Sequence, residues 1–205
     1  MTDATLDGTE TLFRRLLAAA GDVHAASPGL CNFADWPTDL AYVAPHPRSI
    51  PVLPRIRAMA DEGALQAALA AVVDHADWIQ TYSEAEVGRH FLDNYGYIEL
   101  FGPTGIFTST QCRAFIGYWG QGLYYPIHDH EAEEAYLVIS GRCLFEAEGA
   151  EPADLGVGGV RIHASYQKHA MQMRDAPMLA LCLWRGAGMA DRAHLTHDTA
   201  DLAHT

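Results

Sequence analysis

The stretch Gly122–Gly141, GLYYPIHDHEAEEAYLVISG, decides how this chain is read. His128 and His130 are separated by one residue, as are Glu134 and Tyr136, and on extended backbone such pairs point to one face of the strand. Imidazole nitrogens, a carboxylate and a phenol are thereby gathered on one side of a strand–turn–strand unit. A third histidine, His169 in ASYQKHAMQM, lies on a later strand that a jelly roll brings alongside. Imidazole with carboxylate suits one divalent transition metal, Zn, Fe, Mn, Co or Ni, and the spacing does not choose among them.

Outward from this stretch, the chain from Gly96 onward reads as short strands. YGYIELFG, QCRAFIGYW, YYPIHDH, EAYLVIS, RCLFEAE, GVRIH, HAMQMR and PMLALCLWRG are rich in β-formers and are separated by Gly, Pro and Asn punctuation. This predicts a single jelly-roll β-barrel over residues 96–188, with a polar tail over 189–205 carrying His194, His197 and His204. Upstream, residues 1–95 read as mainly helical. After a frayed, polar start, apolar residues Leu12, Leu16, Leu17, Ala20 and Val23 predict a helix over 9–26. ALQAALAAVVDHAD predicts a second over 64–77. Ser83 with Glu86 three residues on is a capping box for a third, ending near Asn94. Between the first two, six prolines over 27–54 forbid regular ladders, while Trp36 and Tyr42 suggest an arm pinned to something.

Composition narrows the function. With 205 residues, 49% hydrophobic and a formal charge of −13, the chain buries a core but lacks the clustered Lys and Arg that nucleic acid or an anionic membrane demands. Cys31, Cys112, Cys143 and Cys182 are scattered, which predicts free thiols in a reducing compartment. The N-terminus lacks a basic start followed by an apolar run, and no stretch reaches the roughly 18 apolar residues of a membrane span. The expectation is a cytoplasmic monomer or homodimer acting on a small molecule.

The string from Gly122 to Gly141 matches the first cupin motif at each fixed position: glycine, His128, His130, Glu134 and Gly141. The second motif is degraded, with Ala164 and Tyr166 in place of its proline and glycine, and His169 as its matching ligand. Within the cupins, YPIHDHEAEEAYLVISG preceded by a helical region resembles the bacterial dimethylsulfoniopropionate (DMSP) lyases. The resemblance implies metal ligands at His130, Glu134 and His169, with Tyr136 beside the metal and His128 and Tyr125 lining the site, while the residue pattern itself also offers His128 as a fourth ligand.

It also implies the reaction, a β-elimination that yields acrylate and dimethyl sulfide. A base must remove the weakly acidic proton α to the substrate carboxylate. Tyr136 is the first choice and Tyr125 the second, because a neighbouring cation favours phenolate. Trp119, Tyr125 and Trp184 offer aromatic faces to the sulfonium, and His128 and Tyr125 line the site. Two other functions compete: a cupin Fe(II) dioxygenase, which needs open positions for oxygen, and a non-enzymatic cupin that binds a sugar or effector.

Overall fold

The computed structural model describes residues 3–196, with side chains from Gly8 onward. Its helices are α1 (Asp3–Ala26), α2 (Pro28–Phe33), α3 (Leu53–Ala58), α4 (Ala64–Val72) and α5 (Glu84–Leu92). Its strands are β1 (Ala41–Tyr42), β2 (Tyr95–Gly102), β3 (Phe107–Thr108), β4 (Arg113–Trp119), β5 (Tyr124–Asp129), β6 (Glu133–Ala147), β7 (Ala150–Gly156), β8 (Val160–His163), β9 (His169–Gln172), β10 (Met178–Arg185) and β11 (His194–Leu195). The fold is mainly β, with a helical N-terminal region before one jelly-roll barrel. No helix among the described residues is long and apolar enough to cross a membrane.

Local chemistry accounts for the helix boundaries. Ser83 opens α5, and the Glu86 carboxylate accepts both the Ser83 backbone N–H and its hydroxyl at 2.7 Å. The second helix is shorter than its composition suggests: α4 ends at Val72, and the chain then turns so that Trp78 is fully buried. Helix α1 starts at Asp3, earlier than expected. The proline-rich arm is built into the fold. Pro28 opens α2, where a missing N–H costs nothing, and Trp36 packs edge-on against Phe101 at 4.9 Å.

Strand order is β1-β3-β2-β4-β10-β6-β9-β5-β11, with β7 and β8 pairing β6 off this path. EAYLVIS and RCLFEAE, expected as separate strands, are one 15-residue strand, β6. The glycine between them turns the strand without ending it. Gly141 sits at φ 75, and a Cβ there would stand 1.7 Å from the Pro177 carbonyl oxygen. The first half of β6 pairs β10 and β8, and the second half pairs β7 and β9. One strand thus serves both sheets of the roll.

The wall has two faces, and β10 displays both. Leu179, Leu181 and Leu183 join the cluster that packs under α1, α3 and α4, with Phe13, Leu16, Ile56 and Leu69. Met178, Ala180, Cys182 and Trp184 face the barrel interior with Phe115, Trp119, Tyr125, Tyr136 and Phe145. Each leucine so buried contributes about 2 kcal/mol of apolar transfer. The outer cluster stabilises the wall and leaves the inner face to carry polar groups.

Candidate metal centre

Cross-strand register puts the polar groups in one layer of the barrel. Arg113 pairs with Trp184, Trp184 with Glu134, and Glu134 with His163. His169 on β9 pairs with His128 on β5. His130 follows β5 and enters the same layer from the turn leading to β6. His130, Glu134 and His169 are all buried, and their ligand atoms lie within 4.8 Å of one another.

These three residues fit a cation. His130 Nδ1 donates to the Ala132 carbonyl and His169 Nδ1 to the Gln167 carbonyl, each at 2.8 Å. The Nε2 lone pairs are thereby turned toward Glu134 Oε2, at 3.0 and 3.3 Å. The buried Nε2 of His169 makes no hydrogen bond among the described residues. Two imidazole lone pairs and one carboxylate oxygen repel each other unless positive charge lies among them, and a divalent metal supplies it. Glu134 Oε1 is occupied separately, accepting the Trp184 indole N–H at 2.6 Å. Burial opposes the Glu134 charge, and it takes positive charge at the His130 and His169 positions, on protonated rings or on a cation held between them, to bring the carboxyl well below the usual range.

The other expected site residues are spread around the same cavity. Tyr136, Tyr125, Trp119, Trp184 and His128 all line it, with Tyr95, Tyr97, Phe115 and Cys182. Burial, reinforced by the Glu134 charge, holds the Tyr136 phenol well above its ordinary range. His128 stands outside the three-residue group. Its Nδ1 donates to the Pro126 carbonyl at 2.8 Å, and Tyr125 stacks on its ring at 4.0 Å. Burial, then His169, keeps it neutral. Trp184 stacks on His130 at 4.2 Å and has the Arg113 guanidinium 5.5 Å from its ring, so its face is shared. Trp119 is buried at the far end of β4, and its indole N–H meets no acceptor among the described residues. His163, at the end of β8, is fully buried and stacks on His169 at 3.9 Å.

Two contributions escaped the sequence. Arg113 donates to Met189 O at 2.6 Å, Asp191 O at 2.9 Å and Glu99 Oε2 at 2.8 Å, tying the segment after β10 across the cavity. Asp191, Arg192 and Ala193 therefore line the cavity, and His194–Leu195 pair with Asp129 and His128. The start of the expected polar tail is thus part of the barrel; His197 and His204 lie outside the described residues. The alternation R-A-F-I-G-Y-W pointed to Arg113, since Phe115 and Trp119 share its face. Tyr82, whose hydroxyl meets that of Tyr125, comes from before the barrel and carried no comparable signal.

Comparison with known proteins gives the family. Residues 38–180 match the dimethylsulfoniopropionate lyase family. This chain belongs to the DMSP lyase family. It is 36% identical over 185 residues to the DMSP lyase DddQ of Ruegeria pomeroyi, covering 87% of this chain and 91% of that one. The crystal structure of that enzyme superposes with a TM-score of 0.83 at 33% identity, covering 93% of this chain and 98% of the other. A structure reported for the DMSP lyases RdDddP and RnDddQII superposes with a TM-score of 0.87 at 39% identity, covering 92% and 100%.

Proposed function

We propose that this chain is a metal-dependent DMSP lyase that cleaves dimethylsulfoniopropionate to acrylate and dimethyl sulfide, with Tyr136 as the base. The observation that carries this reading is the shared inner face of β6, where Glu134 of the metal-fitting group and Tyr136 stand two residues apart inside one aromatic cavity. His130, Glu134 and His169 would hold the ion. When bound, a divalent ion supplies a Lewis acid for the substrate carboxylate and a positive charge beside Tyr136.

The chain's own residues do the rest. With its own proton already released, Tyr136 accepts at Oη, as phenolate, the proton from the carbon next to the carboxylate. The electron pair left behind forms the carbon–carbon double bond, and the carbon–sulfur bond breaks with its electrons moving to sulfur. Dimethyl sulfide leaves neutral, so no acid is required. Tyr136 suits the role better than Tyr125, whose hydroxyl is engaged at 2.8 Å by Tyr82. Trp119 and Tyr125 present aromatic surface to the sulfonium, each such contact adding about 0.5–2 kcal/mol, whereas the Trp184 ring is already shared by His130 and Arg113. His128, kept neutral, adds no charge to repel that cation.

The test is headspace detection of dimethyl sulfide from metal-loaded protein and DMSP without oxygen. Release under those conditions supports the lyase. Product formation that requires oxygen, with no sulfide, would move the assignment to a dioxygenase.

A further inference from the structure

We propose that Tyr82 is a positioning residue: its hydroxyl fixes where Tyr125 stands in the substrate cavity. The proposal rests on reading that cavity as the DMSP site. Tyr82 itself is not among the cavity-lining residues, whereas Tyr125 is. The two hydroxyls are 2.8 Å apart, and both side chains are buried.

Tyr125 depends on a side-chain anchor because its backbone is weakly held on one side. Pairing of β5 with β9 loses register between Tyr125 and His128, and the residue after Tyr125 is Pro126, which has no N–H to give. What remains is the ring: flat on His128 at 4.0 Å and 17°, with Phe91 at 5.5 Å and Tyr95 at 5.7 Å beside it. Those contacts limit tilt, but ring stacking leaves sliding and in-plane rotation open. A hydrogen bond at the para oxygen removes that freedom.

Tyr82 is well placed to act as a fixed point. Three residues before it, Ile79 exchanges backbone hydrogen bonds with Tyr97 at 2.8 and 3.1 Å. Gln80 donates to the Tyr95 carbonyl at 2.7 Å, and Ser83 begins the capped helix α5. The segment 79–83 is thus a strap clamped at both ends, with Tyr82 reaching from it to Tyr125. When Tyr82 donates to Tyr125 Oη, the Tyr125 proton is left to turn toward the Tyr95 hydroxyl or the cavity. The hydroxyl that meets substrate is then oriented by a residue that never touches it.

A double-mutant cycle tests this with the metal-loaded protein. Tyr82→Phe keeps the ring and is expected to lower kcat/KM for DMSP about tenfold, the size of one buried hydrogen bond. In a Tyr125→Phe background the same change is expected to alter kcat/KM by less than about twofold, because its point of action is gone. Equal losses in both backgrounds, or no loss in the single variant, would overturn the proposal. A second readout needs no substrate: with tyrosine labelled at Cζ, the Tyr125 carbon resonance, assigned by its loss in Tyr125→Phe, is expected to shift in Tyr82→Phe. If the wild type releases no sulfide, the substrate reading fails, and an unmoved Tyr125 resonance separately removes the positioning role.

Discussion

The two faces of the barrel wall are made by the same strands and do opposite work. On β10 the outward residues Leu179, Leu181 and Leu183 are interchangeable in kind, and their neighbours are aliphatic groups from the helices. The inward residues Met178, Ala180, Cys182 and Trp184 are all different. Each answers a specific neighbour: Trp184 donates to Glu134, Cys182 lies opposite Tyr136, Ala180 sits beside Gly117, and Met178 pairs with Trp119. The outer face is constrained by volume, the inner by identity. Stability and chemistry are therefore separable by which face a substitution touches.

The largest effect is expected on the inner face. His130→Ala and His169→Ala, made separately, should each empty the metal site and lower sulfide release by on the order of 10³, read by metal analysis and headspace assay. Full metal occupancy in either variant would take that residue out of the ligand set. On the outer face, Leu181→Ala should cost about 3 kcal/mol in denaturant unfolding while metal content and KM stay unchanged. A metal loss in this variant would break the separation of the two faces.

Tyr136→Phe should keep metal and fold but lose at least about 10² in kcat. Near-full activity would pass the role of base to Tyr125. The smallest effect concerns acid stability without metal. Burial, then His169, pushes the His163 imidazole down to about 2, whereas in the unfolded chain it titrates near 6.5. Between those values only the unfolded state takes up the proton, so this group's contribution is lost as pH falls, by about 1 kcal/mol per pH unit. His163→Phe should flatten the fall in stability between pH 6.5 and 5 by that amount. An unchanged slope would mean that His163 is protonated in the fold.

Much of the inner face was legible. The spacing of His128, His130, Glu134 and Tyr136 within a few residues fixed their common side, because strand periodicity is a local property. Helix α5 was legible for the same reason, its boundary being set by Ser83 and Glu86 alone. The strand break at Gly141 was misread, since a glycine that ends a strand and one that turns it look alike in sequence. The segment following β10 was read as a tail because nothing local shows that Arg113, some 76 residues earlier, binds the Met189 carbonyl.

The sequence by itself determined which residue types share a face and where the helical region gives way to strands. Only the tertiary structure decided which faces meet. It placed His169 with His130 and Glu134 while leaving His128 outside that group, and it carried Tyr82 from the segment before the barrel to Tyr125. Periodicity is written over a few successive residues, whereas cross-strand neighbours depend on pairing and register. Those are settled by which arrangement buries both faces of the wall at once.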